Sequence, residues 1–273
     1  MHKIEYLPFL NQIIFTDDSI PSQIFFDVSP KNNINRKKKI MTKKNSFFVK
    51  KCIFPPIAND KIPQLMIDDD SFEYITYFDF AQQITNIIMN NLSNFPNPNV
   101  GHDDKQWYSK SLEKKMKNLV ITEMTAGVGG NVLNFAFYFK YVNAIEIDKI
   151  RFDCLNKNIE TYEFDNINSY HDDSIKLLVN NDDIVQDIIF FDPPWGGKSY
   201  KKFYNLRLYF GNYTIENICK KLFCRPRNKL IVLKLPNNYD FDYLFEELKD
   251  YKIFKVVLIK MTIVVLKNFD IDQ

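Results

Sequence analysis

Cysteine, histidine and glycine are scarce in this 273-residue chain, at 4, 3 and 7 copies. The cysteines (Cys52, Cys154, Cys219, Cys224) form no Cys-x-x-Cys pair, and the histidines (His2, His102, His171) are scattered. That spacing gives no support to a structural zinc site or a disulfide framework. No apolar run approaches the ~20 residues that a membrane span needs. Met1 to Phe9 carries charge within its short apolar stretch, so no signal peptide is expected. These absences make an intracellular protein the expectation, without membrane or metal. A strong net charge is missing too. At +2, any affinity for a polyanion has to come from local patches.

What is present is apolar and aromatic. Hydrophobic residues make up 45% and aromatics 15%, enough for a large core and far from a disordered composition. The length suits one large domain, or a catalytic domain with an extension. Ile, Asn, Lys, Phe and Tyr are abundant, a bias that suggests an AT-rich genome such as those of some large DNA viruses and protists.

Residues 1–71 differ from the rest. No acidic residue falls between Asp27 and Asp60, whereas Lys31, Arg36, Lys37, Lys38, Lys39, Lys43, Lys44, Lys50 and Lys51 all do, around Phe47 and Phe48. This stretch, with Pro55-Pro56 and Pro63 after it, is expected to be an N-terminal extension of short strands and a basic loop, with possible RNA contact. Residues 72–273 form the second unit. Phe72 to Leu92 has helical spacing, Asn94 to Gln106 has loop composition, and Ser109 to Met116 suits a short helix. Strands and helices then alternate. Strands are expected at Asn118–Met124, Val142–Ile147, Asn168–His171, Ile184–Phe191 and Lys229–Leu235. Helices are expected at Asn131–Phe139, Ile150–Tyr162, Ile215–Leu222 and Phe241–Leu248, with a turn at Ile175–Val179. Tyr251–Ile259 and Thr262–Leu266 close the chain as paired strands. Such alternation predicts a doubly wound α/β fold with a mostly parallel sheet. Its ligands should bind outside the carboxyl ends of the strands.

Two features point to chemistry. The first is Glu123-Met124-Thr125-Ala126-Gly127-Val128-Gly129-Gly130, a glycine turn between the first of these strands and its helix. Glycine there lets the backbone approach a ligand, and the lack of a following Lys-Ser/Thr excludes a Walker A loop. Glu146 lies 19 residues beyond Gly127 at the next strand end, where a carboxylate can hold both ribose hydroxyls. Asp148 is the alternative. Asp173, after the third strand, could hold an adenine amine. This set suits S-adenosylmethionine or a dinucleotide.

The second feature, Asp192-Pro193-Pro194-Trp195 followed by Gly196-Gly197, ends an apolar strand. These residues pack poorly but can clamp a flat base whose exocyclic amine is to be modified. The acid, or the carbonyl after it, accepts the amine hydrogens, and the indole stacks on the ring. Dinucleotide enzymes have no use for such a tetrad at this strand end, so methyl transfer is the expected chemistry. Lys198, Lys201 and Lys202 follow at once and could meet phosphates. One of Tyr200, Tyr204, Tyr209 and Tyr213 could complete a base sandwich. Asn237 could line the base pocket or cap the next helix.

Over about 72 to 268 the chain resembles the trimethylguanosine synthase family, the cap guanine-N2 methyltransferases. The carrying residues are Glu123 to Gly130 with Asn131 and Phe135-Ala136, then Ala144 to Asp148, then Asp173. Pro193-Pro194-Trp195-Gly196-Gly197 and Leu235-Pro236-Asn237-Asn238 follow. Ile75-Thr76, with Phe80-Ala81 and Ile84, resembles the family's segment that touches the cofactor ahead of the core. The resemblance implies a class I, Rossmann-like fold with a seven-stranded sheet and S-adenosylmethionine as cofactor. Thr76, Glu123, Thr125, Ala126, Gly127, Gly129, Asn131, Glu146, Asp148, Asp173 and Asp192 would surround that cofactor, with Glu146 on the ribose and Asp173 on the adenine. Trp195 would stack on a 7-methylguanine cap, with Gly196, Lys198 and Asn237 nearby. Capped RNA is the implied partner and a monomer the expected state. If the source is viral, host cytoplasm or virion is the expected location, otherwise cytoplasm or nucleus.

Asp192 stands where cellular members usually have Ser, and Asn237-Asn238 replaces an expected Arg-Asn. An Asp at this position also occurs in adenine-N6 methyltransferases. Amine methylation of an internal guanine or adenine in rRNA, tRNA or DNA therefore stays open. So does an inactive fold that binds RNA as a subunit, which calorimetry with S-adenosylmethionine would distinguish.

Overall fold

In the computed structural model, which describes residues 25–27 (backbone only), 47–92, 113–181 and 184–268, ten strands follow one another along the chain. They are β1 (Phe25–Asp27), β2 (Val120–Glu123), β3 (Tyr141–Ile145), β4 (Ile167–Tyr170), β5 (Ile188–Phe191), β6 (Arg207–Phe210), β7 (Tyr213–Thr214), β8 (Leu230–Leu235), β9 (Lys252–Val257) and β10 (Thr262–Lys267). The helices are α1 (Phe47–Ile53), α2 (Phe78–Leu92), α3 (Val132–Ala136), α4 (Lys149–Tyr162), α5 (Ile215–Phe223) and α6 (Phe241–Glu247).

Seven strands make the main sheet, in the order β4-β3-β2-β5-β8-β10-β9. β4, β3, β2, β5 and β8 are mutually parallel. β10 runs antiparallel to both its neighbours, so it is the one reversed strand. This is the doubly wound, mostly parallel, seven-stranded sheet expected. Side chains alternate across it. Ile189, Phe191, Ile231, Leu233 and Leu235 join α5 and α6 in one apolar cluster. Ile188, Phe190, Leu230 and Val232 join α2 and α3 in the other. The strands are buried on both faces, which is why β5 and β8 are continuous apolar runs.

The order reverses between β2 and β5, the kind of crevice where open α/β sheets bind ligands. β5 stops at Phe191 because the two prolines that follow lack a ladder N–H. It begins at Ile188, later than the apolar run suggested. Asp187 and Gln186 are taken up instead by hydrogen bonds to Val120 N (2.9 Å) and Asn228 (2.9 Å).

Residues 47–71 pack onto the α/β core. Ile53, Phe54, Leu65 and Ile67 are buried with Val128, Leu133 and Cys154. The Asn158 amide donates to the carbonyls of Met66 (2.8 Å) and Val128 (2.8 Å), tying this segment to α4 and the glycine turn. Phe47–Ile53 is a helix, within an extension expected to hold short strands and a basic loop. Lys50 is not a free member of the basic stretch: its ammonium is buried and donates to Pro63 O (3.3 Å) and Leu65 O (2.5 Å). Lys31, Arg36, Lys37, Lys38, Lys39, Lys43 and Lys44, the loop at 94–106 and the first half of the helix expected at 109–116 lie outside the described residues, while 113–116 are helical.

β6 and β7, in the stretch after the tetrad for which no strand was expected, form a second, small sheet with β1 in the order β1-β6-β7. Phe25–Asp27 pairs in parallel with Arg207–Tyr209.

Candidate active site

The carboxyl ends of the parallel strands surround a cavity of about 600 Å³. That size suits a cofactor together with part of a substrate. One wall comes from β2 and β3. Gly127 (φ +56°) and Gly129 (φ +104°) turn the chain in left-handed conformations that favour glycine. A Cβ on Gly130 would sit 2.7 Å from Thr76 O and 2.9 Å from Ile75 Cγ1, so the segment ahead of α2 lies directly on the glycine turn.

Glu146 is almost fully buried and receives Gly127 N–H (2.7 Å) and Asp148 N–H (2.8 Å). Burial raises its pKa, and those two backbone donors and Arg151 oppose the rise. Glu123 is 2% exposed. Its Oε1 accepts from the Asn131 amide (3.2 Å), while its Oε2 and the Asn131 Oδ1 have no hydrogen-bond partner. Burial drives the Glu123 pKa well up, and the nearby Asp192 carboxylate adds to the rise. An orphaned carboxylate oxygen in an open cavity suits a ligand that brings a donor or a cation. Arg151 also lines the cavity and stacks on Tyr74 at 4.9 Å. Burial lifts the Tyr74 phenol to about 12.

The opposite wall is the segment after β5. Asp192, Pro193, Pro194 and Trp195 all line the cavity. The Asp192 carbonyl accepts from Thr125 Oγ1 (2.8 Å), which joins the two walls. The Asp192 carboxylate is ion-paired with Lys234 on β8 (Nζ to Oδ2, 2.5 Å). Burial raises its pKa and Lys234 opposes that rise. Lys234 also donates to Thr76 Oγ1 (2.9 Å) and lies 5.5 Å from the Trp195 ring centre. Trp195 Nε1 donates to the Lys234 carbonyl (3.3 Å), and Tyr200 meets the indole edge-to-face at 5.2 Å.

Thr76, Glu123, Thr125, Ala126, Gly127, Asn131, Glu146, Asp173 and Lys198 thus line one cavity with the tetrad. Asp173 gives one oxygen to Ile175 N (2.8 Å) at the start of the turn that follows. Lys198 is paired with Glu73 (2.7 Å) at the rim.

Four residues expected around the cofactor or the base, and Lys202 of the three lysines after the tetrad, do not line the cavity. Asp148 instead caps α4, accepting from Ile150 N (2.9 Å) and Arg151 N (3.1 Å) through one carboxylate oxygen. A Cβ at Gly129 would face Leu155 and Leu133 in the core. Asn237 is turned to the β9–β10 hairpin, bonding Leu258 O (3.2 Å) and Thr262 Oγ1 (2.9 Å). It therefore neither lines the pocket nor caps a helix. Gly196 is the left-handed residue (φ +86°) that starts the next turn. Of the four tyrosines, Tyr200 is the one against Trp195.

Sequence reading missed Lys234 altogether, and Arg151 and Tyr74 with it. The signal for Lys234 was available: a lysine inside Leu-Ile-Val-Leu-Lys-Leu breaks an otherwise apolar buried strand. Among the described residues no helix is long and apolar enough to cross a membrane, and no group of three His, Cys, Asp or Glu could hold a metal ion.

A family model for RNA cap guanine-N2 methyltransferases matches residues 118–269, more than half of the chain. Protein L320 of Acanthamoeba polyphaga mimivirus is 54% identical over 243 residues, covering 88% of this chain and 94% of that protein. The trimethylguanosine synthase of Saccharomyces cerevisiae is 27% identical over 158 residues, covering 52% of this chain and 50% of that enzyme. That of Schizosaccharomyces pombe is 33% identical over 114 residues, covering 36% and 47%. The chain therefore spans about half the length of these two yeast enzymes. Among solved structures, human methyltransferase 10 domain containing protein aligns with 75% of this chain and 88% of its own, at a TM-score of 0.48 and 14% identity.

Proposed function

We propose, for a chain that belongs to the RNA cap guanine-N2 methyltransferase family, that it methylates the exocyclic N2 amine of 7-methylguanosine at an RNA 5′ cap, with S-adenosylmethionine as methyl donor. One observation carries this reading. The glycine turn with Glu123 and Glu146 and the Asp192–Trp195 clamp open into the same cavity, so a donor on one wall can meet a base on the other.

The residues present fit the cofactor. Glu123 Oε2 and Asn131 Oδ1 are buried acceptors without partners, suited to the ammonium of the cofactor's amino-acid end. Glu146 would take the ribose and Asp173 the adenine amine. When bound, S-adenosylmethionine supplies a methyl group already activated on a sulfonium. The protein then has to align the reactants and keep water out. Alignment of this kind contributes on the order of 7–11 kcal/mol. Trp195 would stack on the base. A 7-methylguanine is cationic, and its cation–π attraction to an indole is worth about 2 kcal/mol when desolvated. An unmethylated guanine gains less, which gives a route to cap specificity. Asp192 would accept an amine hydrogen and orient the nitrogen. Lys198 and Lys201, at the rim of the same cavity, would face the phosphates that follow the base.

The test is mass spectrometry of 7-methylated GpppA and of plain GpppA after incubation with S-adenosylmethionine. Methylation of the first alone is expected, and equal turnover of both would overturn the reading. Asp192, in place of the Ser usual in cellular members, favours one second reading, amine methylation of an internal guanine or adenine. That reading predicts activity on uncapped polymer and none on the cap dinucleotide.

A further inference from the structure

Every other residue of β8 is a buried aliphatic, yet Lys234 stands there at 4% exposure. Parity puts it on the face of Leu230 and Val232, whose neighbours are apolar. A lone ammonium in such a place costs several kcal/mol. Here it is met by Asp192 Oδ2 at 2.5 Å and Thr76 Oγ1 at 2.9 Å, and its own carbonyl receives Trp195 Nε1 at 3.3 Å. Stability alone does not account for this arrangement, since apolar replacement of a buried ion pair is often neutral or stabilising. The contacts instead gather three functional segments: the base clamp, its indole, and the stretch ahead of α2 that lies on the glycine turn. Two of the three ammonium hydrogens are used. On Asp192, Oδ2 is taken by Lys234, and no described residue donates to Oδ1.

We propose that Lys234 is a positioning residue of the transfer site, which fixes the Asp192 carboxylate with Oδ1 left to receive the base amine and holds Trp195 beside it. This rests on the reading of the Asp192–Trp195 segment as a clamp for a base amine. It also accounts for the acid at position 192. A serine there needs no counter-ion, whereas a buried carboxylate does, and Lys234 supplies it.

The groups around Asp192 are Lys234 on β8, the Glu123 carboxyl on β2, the hydroxyls of Thr76 and Thr125, and Lys198 and Lys201 along the cavity rim. Burial raises the Asp192 pKa and Lys234 holds it down. Without Lys234 the pKa climbs further, and the acceptor is lost by protonation at a pH where the native protein keeps it. The acid limb of the rate profile therefore moves to higher pH.

The experiment compares Lys234→Met, Asp192→Asn and the double variant with the native protein. In Lys234→Met, kcat on 7-methylated GpppA should fall about 10²-fold, the loss expected of a misplaced reacting group. Its acid limb should move up, while calorimetric affinity for S-adenosylmethionine changes less than about threefold. The double variant, which carries neither charge of the pair, should be no slower than Asp192→Asn alone, because the two residues act as one unit.

Unchanged kcat and pH profile in Lys234→Met overturn the proposal. So does a joint collapse of cofactor affinity and melting temperature with an unmoved acid limb, the mark of a purely structural lysine. If the native protein methylates only uncapped polymer, the cap reading fails and the same variants are compared on that polymer. Carbon NMR titration of the Asp192 carboxylate in the unliganded protein repeats the test without turnover. An Asp192 titration unmoved by Lys234→Met also overturns the proposal.

Discussion

The two walls of the cavity are held in different ways. The wall at the ends of β2 and β3 is backbone-built. Glycines turn the chain, and Glu146 is fixed by two backbone N–H groups close to it in sequence, those of Gly127 and Asp148. The wall after β5 is built from side chains drawn together from afar. Asp192 is held by Lys234, 42 residues on, and Lys234 reaches Thr76, 158 residues back. A backbone-built wall tolerates side-chain change as long as its turns survive. A wall held by a buried ion pair depends on each partner, because losing one strands a charge. The cofactor side is thus expected to be robust and the base side sensitive.

Outside the Lys234–Asp192 pair, the largest effect that separates the walls should come from Trp195→Ala. We expect kcat/KM on the 7-methylated cap to fall at least about thirtyfold, the equivalent of about 2 kcal/mol of lost stacking. Affinity for S-adenosylmethionine, measured by calorimetry, should barely change. If it collapses as well, Trp195 is a pillar common to both walls. Its packing against both apolar clusters makes that comparison informative.

Next in size is Gly130→Ala, which attacks the seam where Thr76 lies on the glycine turn. The added methyl would sit 2.7 Å from a backbone oxygen. Overpacking of this kind costs about 1–3 kcal/mol, readable by urea denaturation. Displacing Thr76 should also loosen Lys234, so this cofactor-side change should slow turnover on the base side.

Glu123→Gln sharpens the contrast within the cofactor wall. Burial raises the Glu123 pKa in the fold. Its contribution to stability is therefore greatest below the unfolded carboxylate range and is lost as pH rises through the folded pKa. Glutamine removes that loss. Melting of the ligand-free variant should be higher than native at neutral pH, with the gap closing toward pH ~4. Affinity for S-adenosylmethionine should fall, since the buried charge that suits an ammonium is gone.

The smallest effect is expected for Lys198→Ala. Its bridge to Glu73 is solvent-exposed and worth about 0–1 kcal/mol at most, so melting should be unchanged. KM for capped RNA should rise modestly and depend less steeply on salt, as loss of a phosphate contact requires.

The difference between the walls also governs how much was legible in advance. Strand–helix alternation yielded the sheet because period and length are local properties. The glycine turn, Glu146 at its offset and Asp173 after β4 follow from that alternation. The Asp-Pro-Pro-Trp run stood out because prolines and an acid end a buried strand. Asp148 and Asn237 looked equally available, but a polar residue beside a strand end can as easily serve a helix cap or a hairpin. The choice depends on which N–H or C=O group is left unpaired nearby. β6 and β7 escaped notice because they are short and because the other partner of β6 lies far back in the chain, Phe25 against Arg207.

The amino-acid sequence by itself determined the doubly wound sheet, the place of its crevice and the chemical kind of the residues at each strand end, since these depend on periodicity and on what ends a strand. Only the tertiary structure decided that Asp192 is a paired carboxylate, that Lys234 is its partner, and that Thr76 and Trp195 meet the same ammonium. Those contacts join segments far apart in the chain. What makes them count is burial, which turns a weak attraction between distant charges into a fixed arrangement.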